Sequence, residues 1–239
     1  MDRAPPRAIM GAMSSTPRVV LLGATGAVGR NVLEALLADP RVAAVTTIGR
    51  RPVPIDDPPA KLTQQVVDLE TPASYQALLA GHDVAICTLG VGQPSKLPRA
   101  EVWKVEVDYV MGFARACRAA GVEHFSLMTS VGSDPGARSY YLRMKGTLEA
   151  QVQALGFRRV SLFRPSMLLT PENRYGWAQG LTLAVWPKLR WLLAGPLRPL
   201  RGVRVEDLGR AIAVEAAADG PDGVQIYSWD GFQALLAAR

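Results

Sequence analysis

Cysteine and histidine are both scarce. The chain of 239 residues holds two of each: Cys87 and Cys117, His82 and His124. No CxxC or CxxH spacing joins them, so neither a disulfide framework nor a structural zinc site is expected, and no metal. Long apolar runs are missing too. No stretch of 18 uncharged apolar residues occurs, and neither a membrane span nor peripheral membrane contact is expected. The leading stretch MDRAPPRAIMGAMSSTP has no apolar h-region and does not read as a secretory signal; the cytoplasm is the expected location. Residues 1–17 read as a flexible lead, with Met13 as an alternative start. Basic residues exceed acidic ones, 27 − 21 = +6, but they are dispersed. There is no basic stripe with interleaved aromatics, so a nucleic-acid partner is not expected. What remains, 49% hydrophobic and 20% charged, is a globular composition in a chain long enough to bury a full core.

What is present is glycine in one telling place. Residues 18–30 read RVVLLGATGAVGR. Four apolar residues run into Gly23, two further glycines follow at Gly26 and Gly29, and an apolar-periodic segment begins at Val32. Glycine permits the tight turn, the approach of backbone to a pyrophosphate, and close contact of helix with strand. The free N–H groups at the helix start, around Ala27 and Val28, suit a phosphate.

The same rhythm continues. Strands are expected at 18–22, 42–48, 64–67, 83–89, 124–129 and 159–163. Helical segments fall at 28–38, 72–80, 100–120 and 140–154, and a late strand, helix and strand at 203–205, 206–217 and 224–227. Near-continuous apolar strands alternating with helices predict an α/β fold: a Rossmann-like doubly wound parallel sheet with helices on both faces. Residues 18–239 read as one domain. Residues 166–200, rich in Trp and Leu but broken by Pro187, Lys188 and Arg190, read as a substrate-side lid or an interface. In such sheets ligands bind beyond the carboxyl ends of the strands. The polar or glycine punctuation at 23–29, 49–51, 68, 90–92, 130 and 164–165 lies at that edge.

Several residues there can do chemistry. Tyr141 and Lys145 are four apart, on one face of the 140–154 helix. A nearby ammonium favours the phenolate, so the pair can move a proton to or from a substrate hydroxyl. Lys145 can also reach cofactor ribose hydroxyls. Tyr140 is a rival, but its spacing of five turns it away from Lys145. Ser130, at the end of the fifth strand, can orient a substrate oxygen, with Thr129 and Ser133 as alternatives. Arg50 and Arg51 follow the second strand, where an acid would favour NAD; arginines there point to the 2′-phosphate of NADP. Asp68 stands where a side chain can contact adenine or cap a turn. Asp108 reads as buried behind the site. Both histidines read as structural, and Cys87 as a core residue.

On these residues the chain resembles the short-chain dehydrogenase/reductase superfamily, specifically its atypical, TIP30-like group. GATGAVG at 23–29 is similar to their glycine motif, and Tyr141 to Lys145 to their YxxxK element. CTLG at 87–90, VDYV at 107–110, HFSLMTS at 124–130, LFRPSMLL at 162–169 and VRVEDLGRAI at 203–212 extend the likeness over about 18–215. The resemblance implies Tyr141 as acid/base, Lys145 as its partner and Ser130 as the substrate-orienting residue. Gly23, Thr25, Gly26 and Gly29 would shape the dinucleotide site. Leu89 and Gly90 would pass under the cofactor, Pro165 and Ser166 would flank the nicotinamide, and Arg50 would meet a 2′-phosphate. After Pro165 only 74 residues remain, little room for the sugar-nucleotide domain of extended members. The expected activity is an NADP-dependent oxidoreductase acting on a small, possibly apolar carbonyl or alcohol, with NAD as the alternative cofactor. A cofactor-binding sensor without turnover, and epimerase or dehydratase chemistry, are the alternative readings. A monomer or homodimer is expected.

Overall fold

A computed structural model describes residues 16–170 and 195–238. Most of the expected lid and all but the end of the expected lead therefore lie outside the described residues.

The sheet starts from β1 (Arg18–Leu22), whose Val19 to Leu22 are all buried. Alternate side chains leave opposite faces of a strand. Val20 and Leu22 enter one core with β4 (Val84–Cys87) residues Ala85 and Cys87. Val19 and Leu21 enter the other with Val84 and Ile86. A strand buried on both sides has to be apolar throughout, as this one is. β2 (Ala44–Gly49) and β3 (Leu62–Val66) extend the sheet to one side. β5 (His124–Met128) and β6 (Arg159–Phe163) extend it to the other. With β9 (Gly223–Tyr227) added, the order is β3-β2-β1-β4-β5-β6-β9, every pair parallel. The order reverses direction between β1 and β4, so a crevice opens there at the carboxyl ends. Two short strands, β7 (Leu168–Leu169) and β8 (Val203–Arg204), pair separately.

Helices cover both faces. α1 (Ala27–Ala38) buries Val28, Val32, Leu33 and Leu36, a stripe at helical spacing, and stops at Asp39 before Pro40. It crosses α5 (Val205–Ala216) very closely: a Cβ on Gly209 would lie 2.5 Å from Asn31 Cβ. α6 (Trp229–Ala237) closes this layer through buried Phe232, whose ring lies 6.0 Å from that of Phe163. The opposite layer holds α2 (Arg99–Trp103), α3 (Tyr109–Ala119) and α4 (Tyr140–Gln153). Between α2 and α3 the chain makes a π turn, Lys104–Asp108.

The structure corrects three expectations. The 72–80 helix is two 3-10 pieces, Pro72–Ser74 and Gln76–Leu79, separated at Tyr75. The 100–120 helix is interrupted by the π turn. Asp108, expected to be buried, is exposed, while Glu106, four residues after buried Val102 on the same helical face, is 1% exposed. The final helix, α6, follows the last expected strand and was not anticipated. Among the described residues no helix is long and apolar enough to cross a membrane.

Candidate active site

The glycine turn lies at the crevice between β1 and β4. Gly23 has φ +96°, a conformation open to glycine, and its carbonyl accepts the Gly26 N–H at 3.0 Å. The first turn of α1 holds no acid, and its N-cap Gly26 offers no side-chain cap. The N–H groups at Ala27 and Val28 are thus uncommitted and suited to a pyrophosphate. On these grounds the residues fit a dinucleotide.

Two cavities run outward from this turn, one on each side of Leu89, which lines both. The smaller, about 50 Å³, lies between Gly23, Ala24 and Thr25 on one side and Gly49, Arg50 and Arg51 on the other. Leu69 lines it too, a contact for which the sequence offered only its neighbour Asp68. The Asp68 carboxylate itself caps a turn, accepting the Glu70 N–H at 2.9 Å and the Thr71 hydroxyl at 3.0 Å.

The larger cavity, about 890 Å³, gathers Gly26, Ala27, Val28, Leu89, Gly90, Ser130, Tyr141, Lys145, Pro165 and Ser166. The structure thereby brings together residues that the sequence scatters over 140 positions. Lys145 is buried, with Nζ 5.9 Å from the centroid of the Tyr141 ring. Burial pushes the Tyr141 phenol up, Lys145 draws it down and the Glu106 charge opposes that draw; it ends above its ordinary 10. For Lys145, burial favours the neutral amine, but Glu106 and Tyr141 outweigh it and the ammonium is held above 10.5.

The three candidate hydroxyls separate clearly. Thr129 gives its hydroxyl to Glu149 Oε1 at 2.5 Å, and Glu149 is also paired with Arg164. Ser133 gives its hydroxyl to the Ser130 carbonyl at 2.7 Å. Among the described residues the Ser130 hydroxyl has only a long 3.4 Å contact to the Val131 carbonyl, and Ser130 lines the cavity, as Thr129 does. Ser166 contributes backbone, since its hydroxyl donates to the Arg201 carbonyl at 2.6 Å. Tyr140 lines the outer part of the cavity beneath Arg99, whose guanidinium carbon is 5.0 Å from its ring centroid. Ser95, Ser139, Arg99 and Glu106 also line the cavity; none was singled out from the sequence.

Two other clusters are structural. His82 bonds Thr46 Oγ1 at 2.8 Å and the Leu79 carbonyl at 3.1 Å, at the amino edge of the sheet. His124, Ser161, Glu215 and Arg159 form a buried polar knot. Its serine, histidine and carboxylate resemble a hydrolytic constellation, but none of them lines either cavity of the site. Cys87 is fully buried, with its thiol pushed up to about 12, and is no nucleophile.

A parallel sheet of this order with a glycine turn at its switch point, a Tyr-Lys pair and a strand-end serine defines an NAD(P)-binding enzyme fold of the short-chain dehydrogenase/reductase type. The NAD(P)H-binding family model matches residues 23–169, and the chain belongs to that family. It is 34% identical over 201 residues to Protein HTATIP2 of Rattus norvegicus, covering 77% of this chain and 83% of that protein. Among solved structures it is similar to MoeE5 in complex with UDP-glucuronic acid and NAD. That match has a TM-score of 0.67 and 21% identity, and covers 87% of this chain and 75% of that one. It is also similar to the UDP-N-acetylglucosamine 4-epimerase of Methanobrevibacter ruminantium, with a TM-score of 0.65 and 15% identity, covering 90% and 77% of the two chains.

These structures correct the expected cofactor. MoeE5, and WbmH and WbmG of Bordetella bronchiseptica, are complexes with NAD rather than NADP. Arg50 and Arg51, on which the NADP expectation rested, are exposed at the rim of the smaller cavity. An exposed guanidinium is well solvated without a phosphate, so its place after β2 does not by itself define a 2′-phosphate site.

Proposed function

We propose that the protein is an NAD-dependent enzyme that works by hydride transfer at a hydroxyl-bearing carbon of a polar substrate. The chemistry is of the epimerase or dehydratase kind, in which the cofactor is regenerated within the cycle. The observation that carries this reading is the placement of Tyr141, Lys145 and Ser130 in one cavity that also reaches the glycine turn. When bound, NAD supplies the acceptor for the hydride and gives it back. Ser130 donates a hydrogen bond to the substrate oxygen and orients it. Tyr141 takes the proton of that hydroxyl as the C–H bond is broken and a carbonyl forms, and returns it in the reverse step. Lys145 favours the phenolate form of Tyr141 that accepts the proton and is restored when the proton is returned.

The cavity offers a substrate both polar and apolar contacts: Ser95, Ser139, Arg99 and Tyr140 line it together with Val91, Leu97, Val102 and Leu168. A polar substrate is favoured by the nucleotide-sugar ligands of the similar solved structures. A net dehydrogenase is the second reading, favoured by the same Tyr141 and Lys145 pair.

Stopped-flow measurement of reduced cofactor tests the proposal. The enzyme with NAD is mixed with sugars, uronates and nucleotide sugars. A reduced-cofactor signal that rises and decays without net accumulation is expected, and Tyr141→Phe should slow it by about 10²- to 10⁴-fold. Steady accumulation of NADH would favour the dehydrogenase instead. Silence across the panel, with NAD bound, would sink both.

A further inference from the structure

Glu106 lies in the π turn at Lys104–Asp108, four residues after buried Val102 and on the same helical face. The side chain turns inward to the candidate active site and is 1% exposed. Its Oε2 lies 2.5 Å from Lys145 Nζ. Its Oε1 accepts the Val91 N–H at 2.8 Å. A carboxylate this deeply buried is costly unless its oxygens are paired. Here the partners are the two parts of the site that must be held for a cofactor: the lysine, and the loop after β4 through Leu89, Gly90 and Val91. A Cβ on Gly90 would lie 3.1 Å from Glu106 Oε1, so that loop passes directly over the carboxylate.

We infer that Glu106 is a positioning residue for the proton transfer proposed above: it holds Lys145 Nζ beside Tyr141 and fastens both to the loop that carries the cofactor. The role of Tyr141 in this inference rests on the proposed function; the tether itself does not. Glu106 acts through Lys145 and Val91. The groups facing the Lys145 ammonium are Glu106 from the π turn, Tyr141 from its own helix and Cys87 from β4. Cys87 stays a neutral thiol, so Glu106 is the standing negative charge that keeps a buried lysine protonated. Without it, burial drives Lys145 toward the neutral amine. A neutral amine is a weaker donor to ribose hydroxyls and no help to a phenolate.

NAD binding, followed by protein fluorescence over a range of pH, tests this without any substrate. In the wild type, affinity should be independent of pH up to the alkaline limit of folding. Glu106→Gln should bind NAD about tenfold more weakly, and its affinity should fall as pH rises, because Lys145 loses its proton earlier. Glu106→Asp keeps the charge and should restore the flat profile while leaving affinity reduced, since its shorter side chain strains the Val91 bond. Should Glu106→Gln fail to fold, the double variant Glu106→Gln/Lys145→Met removes both charges together. It should bind NAD more weakly than Lys145→Met alone, which isolates the loop tether. A Glu106→Gln protein with wild-type NAD affinity and a flat profile, altered only in melting temperature, would overturn the inference. So would equal affinity of the double variant and Lys145→Met. Failure of the proposed function would appear differently, as turnover that survives Tyr141→Phe or is never found.

Discussion

Gly29 in the first turn of α1 packs against the Gly23 carbonyl: a Cβ on Gly29 would lie 2.1 Å from that oxygen. The contact sets how near the helix start comes to β1, and so where its free N–H groups point. Gly29→Ala should force helix and strand apart and abolish measurable NAD binding, with a marked loss of stability. At Gly26 a Cβ would meet the same oxygen at 3.3 Å, with ordinary φ. Gly26→Ala should therefore fold and bind NAD, only more weakly. Fluorescence titration with NAD and urea unfolding separate the two outcomes.

The glycine turn was legible because its chemistry is local. Three glycines between an apolar run and an apolar-periodic segment have few other uses. Tyr141, Lys145 and Ser130 were legible for a similar reason, each standing at a strand end or a helical spacing that fold rules place at one edge. Glu106 was not. Its i+4 spacing from Val102 puts it on the buried face even of a regular helix, but nothing in the sequence pairs it with Lys145, thirty-nine positions on, which only the fold brings beside it. The cofactor was misread differently: the position of Arg50 was legible, but its exposure was not.

The knot at the amino edge should matter for folding and not for binding. Arg159 and Glu215 are an ion pair with side chains 3% and 1% exposed. Ser161 donates to the same Glu215 oxygen at 2.5 Å. Glu215→Ala leaves a buried guanidinium unpaired, which should cost about 3–5 kcal/mol in urea unfolding. NAD affinity of the folded fraction should match wild type. A loss of NAD affinity with stability intact would contradict the assignment of this cluster to structure.

Acid should weaken the fold before it reaches the carboxylate range. Burial holds the His82 imidazole below 6.5, and burial together with Arg159 and Arg158 holds His124 well below it. Between those folded values and 6.5 the unfolded chain binds more protons than the folded one. Stability is then full above about pH 6.5 and declines as pH falls below it. Glu215 faces His124, and burial raises its carboxyl above 4.5; the folded chain therefore takes up that proton earlier than the unfolded one, which offsets part of the loss. Urea midpoints measured from about pH 8 down to about pH 5 should trace the decline. His82→Gln, which keeps a hydrogen bond to Thr46 within reach, should flatten it. A midpoint constant across that range would show both rings to be freely protonated.

Arg50→Ala is the direct check on the corrected cofactor. An exposed charge at the rim contributes about 0–1 kcal/mol, so NAD affinity should change by less than about fivefold. NAD should bind more tightly than NADP in the wild type. Tighter binding of NADP, lost selectively in Arg50→Ala, would reverse the correction.

The three hydroxyls near the end of β5 offer the sharpest division between binding chemistry and architecture. Thr129 and Ser130 both line the cavity, but among the described residues the Ser130 hydroxyl has no partner closer than the Val131 carbonyl at 3.4 Å. Ser130→Ala should lower kcat/KM by about ten- to a hundredfold, the worth of one hydrogen bond to a developing charge, with little change in melting temperature. Thr129→Val removes the donor to Glu149, a buried carboxylate that still keeps Arg164. Its cost should appear in stability, about 1–3 kcal/mol, and in turnover only as far as the end of β5 shifts. Ser133→Ala breaks a bond to the Ser130 carbonyl and should be mild in both measures. If Thr129→Val instead lost turnover with stability unchanged, the substrate-orienting hydroxyl would be Thr129. Glu149 and Arg164 would then belong to the reaction rather than to the frame around it.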